Sequence, residues 1–175
     1  MSFRDVFTAI NRMAADGVIV RYAVGGAVGA TFYLDPIATL DVDVFVGFKG
    51  GEGGLISPKP IFDYLTAHGA VVRGEYLVIA GWPVQFLPAT SALVEEAIAE
   101  ARRFEVEGQP VPVFTAEHLA AIALQTGRGK DKARLVQFVE AGVLDAGRLE
   151  GILSRHGLSD AWDRFEHRFI DDHDI

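Results

Sequence analysis

The sequence predicts an α+β fold: a small mixed β-sheet flanked by helices, with a C-terminal helical segment packed on it. Three observations predict it. The β-branched runs "VIVRYAV" (18–24) and "TLDVDVFV" (39–46) alternate with helical patterns. "EYLVIA" and "PVQFLP" flank Gly81-Trp82 as the arms of a hairpin. From Thr115 onward every pattern is helical. The α/β core is expected over residues 1–112 and the helical segment over 113–175, with the boundary near 108–114.

The elements follow in order. Residues 2–16 place Phe3, Val6, Phe7, Ile10 and Met13 on one helical face, and Gly17 fits the C-cap. Gly25-Gly26 breaks the first strand, and "AVGATFYL" is a short helix. In "TLDVDVFV", Val42, Val44 and Val46 share one face, and Thr39, Asp41, Asp43 and Phe45 the other. Residues 47–57 form a glycine-rich loop that lacks the Gly-Lys-Ser/Thr ending of a P-loop. "PIFDYLTAHG" (60–69) is a helix closed by Gly69, and "SALVEEAIAEARR" (91–103) is another. "PVPVF" is a short extended piece. Thr115 is the expected N-cap of the next helix, and helices near 131–141, 145–155 and 159–170 complete the chain.

Composition narrows the function. Of 175 residues, half are hydrophobic and 23% charged, a globular balance. A net charge of -8 disfavours a broad nucleic-acid footprint. The absence of cysteine excludes disulfides, thiol catalysis and zinc–thiolate sites. The first ten residues read as an amphipathic helix, not a leader, and no run suits a membrane span, so the expected location is the cytoplasm.

The chemistry concentrates in residues 22–48. Residues i and i+2 of a strand point to one face, with Cβ atoms roughly 6–7 Å apart. Asp41 and Asp43 therefore converge and repel unless water or a cation screens them. Mg²⁺ (or Mn²⁺) takes oxygen ligands and often joins one or two carboxylates to substrate phosphates. Gly25-Gly26 opens a helix whose free N–H groups suit phosphate. A half-exposed strand with Asp facing solvent has the same pattern, but Asp is a poor strand residue.

The order "VGG", helix, "TLDVDVFV" resembles the signature of the nucleotidyltransferase superfamily with the DNA-polymerase-β-like fold. "TAEHLAAIALQTGRGKDKARLVQFVEAG" (115–142) resembles the helical segment of its minimal and abortive-infection-toxin-like branches. The resemblance implies a nucleoside triphosphate as substrate and a hydroxyl acceptor on an RNA end, a protein side chain or a small molecule. It implies that Asp41 and Asp43 bind Mg²⁺, and that Gly25, Gly26, Thr39, Arg128 and Lys130 contact the nucleotide. Asp131 would brace Lys130 or a helix terminus. Independently, Arg128, Lys130, Lys132 and Arg134 crowd a helix start, where the dipole disfavours cations and an anionic ligand would relieve them.

Members of that superfamily usually carry a third carboxylate on a neighbouring strand. Here the matching strand is "WPVQFLP", and Gln85 stands where the acid is expected. Gln offers a neutral carbonyl and is no general base. With Gly81-Trp82 as the turn, Val78 lies opposite Gln85, and Glu75 reaches that face only after a one-residue shift. Two readings follow: a nucleotidyltransferase, or a catalytically degenerate module of the same fold acting through a protein partner of toxin–antitoxin type. Elsewhere, His68 complements a helix C-terminus, His118 is expected to face solvent, and His156, His167 and His173 are scattered. Trp162, Phe165 and Phe169 are expected core anchors, and Trp82 a partly buried turn aromatic.

Overall fold

The computed structural model describes residues 2–35, 38–39, 41–47 and 57–171; most of the expected glycine loop and the last four residues lie outside that range. Among the described residues the chain runs α1 (Phe3–Ala15), β1 (Arg21–Val24), α2 (Gly26–Ala30), β2 (Val42–Gly47), α3 (Lys59–Ala67), β3 (Val71–Arg73), β4 (Tyr76–Ile79) and β5 (Trp82–Pro88). It continues through α4 (Ala92–Ala99), β6 (Arg102–Val106), β7 (Gln109–Val113), α5 (Ala116–Thr126), α6 (Gly129–Ala141), α7 (Ala146–Arg155) and α8 (Ser159–Phe169). The seven strands make one mixed sheet in the order β3-β4-β5-β2-β1-β7-β6. The centre pairs β2 parallel to β5 and antiparallel to β1.

Alternation decides the two faces. Val42, Val44 and Val46 are buried under α1 and α3 with Phe7, Ile10, Met13, Ile61 and Leu65. Phe45 looks the other way, toward Val94, Ala97, Leu119 and Phe138 from α4, α5 and α6, and toward Phe114 just after β7. A third cluster, including Leu135, Leu149, Ile152, Leu153 and Phe165, holds the C-terminal helices together. Phe165 packs between Trp162 and Phe169 with tilted rings, as the helical spacing predicts. No helix among the described residues is long and apolar enough to cross a membrane.

Several boundaries differ from the sequence expectation. The helix expected over 91–103 stops at Ala99, and β6 begins at Arg102. β6 and β7 form a hairpin around Glu107-Gly108, both at positive φ (49° and 83°), the geometry of a type I′ turn. The piece expected only as extended chain is therefore a full strand, and β7 runs parallel to β1. β3 has no counterpart in the sequence expectation. The turn between β4 and β5 is Ala80-Gly81, with φ of 49° and 86°, so Ile79 faces Trp82 and Leu77 faces Val84. That is one residue away from the Gly81-Trp82 turn inferred from sequence. Trp82 is half-buried, as expected, but opens β5 rather than the turn, and its ring stacks on Phe3 at 4.4 Å.

Candidate active site

Gln85 is the direct neighbour of Asp43 in the parallel β2–β5 register. Partners in register point to the same face, so Asp43 and Gln85 stand side by side on the face away from the valine core. Asp41 enters just before β2, and the Thr39 hydroxyl donates to the Asp41 carbonyl (3.0 Å). Thr39 is not among the described residues that line the cleft, so its visible role is to shape the entry to the strand.

The glycine pair has a packing reason that needs no ligand. A Cβ on Gly25 would stand 2.7 Å from the Phe45 ring and 2.9 Å from Phe114. A Cβ on Gly26 would stand 2.0 Å from the Asp43 Oδ2 atom, and Gly26 sits at φ +58°. Gly26 thus leaves room for one rotamer of Asp43. Helix α2 that follows is only five residues long.

These groups line one wall of a cleft of ≈ 600 Å³. Arg128, Lys130 and Arg134, at the start of α6, line the same cleft, and their charges act on Asp43. Glu75, from the β3–β4 turn, and Tyr76, the first residue of β4, also line the cleft. Burial pushes the Asp43 carboxyl up, and the Asp41 charge adds to the rise; Lys130, Arg134 and Arg128 pull it down without cancelling it. The Asp41 charge, with burial and Glu75, also pushes the Tyr76 phenol up. Asp131 is 3% exposed and accepts from the Arg128 Nε (2.8 Å) and backbone N–H (3.3 Å). It therefore braces the helix terminus and Arg128, closing a capping box. Lys132 turns away, its ammonium lying 5.9 Å from the Phe169 ring.

The arrangement suits a hard divalent cation. Two carboxylates of like charge share one wall, and neither forms an ion pair among the described residues. No group of three or more metal-ligating side chains gathers at one point there. A cation that draws its remaining oxygens from water and phosphates matches such a donor set.

His118 corrects the expectation of a solvent-facing ring: it is 1% exposed. Its Nδ1 lies 2.7 Å from the Thr115 hydroxyl and its Nε2 2.9 Å from Glu96. Thr115 also caps α5 by accepting from the His118 N–H. His156 is not an isolated histidine either, since its Nε2 lies 3.1 Å from Glu96, which the Arg155 Nε also reaches at 2.8 Å. This network ties α4, beside the sheet, to α5 and α7. Only the N-cap at Thr115 is readable from local sequence, because Glu96 lies 22 residues from His118 and 60 from His156 along the chain. His68 behaves as expected, with its Nδ1 donating to the Tyr64 carbonyl near the end of α3 (2.7 Å).

Glu96 sets an acid-stability prediction. Burial raises its carboxyl, but hydrogen bonds from Arg155, His118 and His156 outweigh that and bring it to about 2. A depressed carboxylate adds stability above its unfolded value, near 4.3, which is lost as pH falls toward the folded value. Glu96→Gln is therefore expected to flatten the fall in melting temperature between about pH 4.3 and 2. An unchanged pH profile would remove Glu96 from the acid transition.

No protein-family model matches the chain, and no curated protein matches it. Solved structures do. An antigenic nucleotidyltransferase-like protein from Paracoccidioides brasiliensis is 17% identical over 93% of this chain and 94% of its own, with a TM-score of 0.48. The solution structure of the antibiotic-resistance factor ANT(2'')-Ia is 17% identical over 95% of this chain and 97% of its own, with a TM-score of 0.53. The crystal structure of ANT(2'')-Ia in complex with adenylyl-2''-tobramycin is 16% identical over 90% and 97%, with a TM-score of 0.52. At these identities the likeness is one of fold: the α+β architecture with a mixed seven-stranded sheet is nucleotidyltransferase-like.

Proposed function

We propose that this protein binds a nucleoside triphosphate with a divalent cation and transfers the nucleotidyl group to a hydroxyl acceptor. One observation carries the reading: a carboxylate pair and three cations line one cleft on a nucleotidyltransferase-like fold. Asp41 and Asp43 hold Mg²⁺ or Mn²⁺, which when bound neutralises phosphate charge. Lys130, Arg134 and Arg128, which line the same cleft, bind the phosphates, and Asp131 keeps Arg128 in place. The Gly26 backbone lies beside the Asp43 carboxylate, where it would leave room for the phosphates.

The acceptor hydroxyl oxygen bonds to the α-phosphorus. The bond from that phosphorus to the β-phosphate bridge breaks, and pyrophosphate leaves. Among RNA ends, protein side chains and small molecules, a small polyhydroxylated acceptor fits best, because ANT(2'')-Ia was solved with adenylyl-2''-tobramycin. A cytoplasmic location would supply the triphosphate. Gln85 beside Asp43 favours a second reading, a degenerate module of toxin–antitoxin type that binds nucleotide and acts through a protein partner.

Calorimetry with ATP, GTP, CTP and UTP, each with and without Mg²⁺, tests the shared premise. Binding of at least one is expected only with the cation. Absence of heat for all four would remove the nucleotide reading.

A further inference from the structure

We infer that Glu75 is the general base of this cleft, supplied from the β3–β4 turn in place of the strand position held by Gln85. The inference rests on the nucleotide-transfer reading above and names the group that receives the acceptor's proton.

A neutral hydroxyl attacks poorly at neutral pH unless its proton has somewhere to go. Four carboxylates line the cleft among the described residues: Asp41, Asp43, Glu75 and Asp131. Asp41 and Asp43 are committed to the cation. Asp131 is buried and engaged by Arg128 through two hydrogen bonds. Gln85 has the position but cannot take a proton. A tyrosine phenol such as Tyr76, with an ordinary value of about 10, holds its own proton at neutral pH. Glu75 alone is exposed, lines the cleft and has no cationic partner among the described ion pairs.

The hairpins explain how it reaches the site. The Ala80-Gly81 turn sets Leu77 opposite Val84, so the next position, Tyr76, comes level with Gln85. Arg73 pairs with Tyr76, which leaves Gly74 (φ +63°) and Glu75 as a two-residue turn at the cleft rim. Glu75 is exposed there and lines the cleft beside Tyr76. β4 stands two strands from β2, roughly 10 Å, which leaves space between Glu75 and Asp43 for an acceptor. In the step, the hydroxyl proton moves to the Glu75 carboxylate as the oxygen bonds to the α-phosphorus and pyrophosphate departs.

The experiment compares wild type, Glu75→Gln and Glu75→Ala. Affinity for ATP, GTP, CTP and UTP with Mn²⁺ is measured by calorimetry. Pyrophosphate release is measured with water, an oligoadenylate 3′ end, a serine peptide and tobramycin as acceptors. Glu75→Gln is expected to keep Mn²⁺-dependent nucleotide affinity within about threefold while kcat falls about 10²–10⁴-fold. Added formate is expected to restore Glu75→Ala at least about tenfold, which a structural role would not produce. Unchanged kcat in Glu75→Gln, no rescue by formate, or a wild type that binds nucleotide yet releases no pyrophosphate each overturns the inference. A wild type without Mn²⁺-dependent nucleotide binding overturns the nucleotide-transfer reading itself.

Discussion

Asp43→Asn is expected to abolish cation-dependent nucleotide binding while making the metal-free protein more stable. The two effects come from one carboxylate. Removing a charged ligand costs about 2–5 kcal/mol, by analogy with truncating one partner of a buried charge pair, so the apparent Kd rises about thirtyfold or more. The stability gain follows from the raised Asp43 carboxyl, which burial and the Asp41 charge hold above its ordinary value. A carboxyl raised on folding destabilises the native state wherever it is ionised, above its folded value. That cost disappears as pH falls below the unfolded value, near 3.9. The melting temperature of Asp43→Asn should therefore exceed wild type by about 2 °C at pH 7–8 in metal-free buffer. The gap should close as the solution is acidified toward pH 4. A lower melting temperature at neutral pH would show that Asp43 is a structural residue, and the cation reading would lose its main ligand.

The carboxylate pair was legible because it depends only on strand periodicity. D-V-D-V alternates, the valines are buried at 0%, and the acids face the cleft. Gln85 was legible for the same reason, through V-Q-F on a strand beside β2. What failed depended on turns and distant partners. Ala80 at φ +49° is an uncommon turn residue, so the Gly81-Trp82 pair looked the better turn, which set Val78 opposite Gln85 where the structure brings Tyr76, two residues away. A two-residue change leaves the alternation intact, so Tyr76 shares the face of Gln85, and Glu75 lines the cleft from the turn beyond the strand end. The helical pattern of residues 91–103 ran past its true end because Glu-Gly at 107–108 was not weighed as a hairpin turn. His118 looked exposed because its burial is imposed by α4 and α7, which local spacing cannot report. The cationic run at 128–134 was visible as charge, but only the packing of α6 shows that three of its members face the acids.

The glycine pair was legible as well, yet for a reason the structure changes. Phosphate approach suggested it, whereas Gly26 is already required by Asp43 in the free protein. Gly26→Ala tests this directly. Alanine at φ +58° costs about 1–2 kcal/mol in backbone conformation alone. Its Cβ would also stand 2.0 Å from Asp43 Oδ2 and 2.9 Å from Cγ, so the carboxylate must rotate out of place. The expected result is a fall in melting temperature of about 4–8 °C, together with loss of cation-dependent nucleotide binding. Pairing the change with Asp43→Ala separates the two causes. In the double variant the nearest Asp43 atom left is Cβ, at 3.1 Å, so the collision with the carboxylate is gone and the backbone cost remains. The double variant should therefore be more stable than the sum of the single changes, by about 0.5–3 kcal/mol of coupling. If the two changes add, the Gly26–Asp43 contact does not set the carboxylate's position. If Gly26→Ala binds nucleotide and Mg²⁺ as wild type does, Asp43 has other rotamers that serve the cation equally well, and the link between the glycine turn and the acid pair is broken.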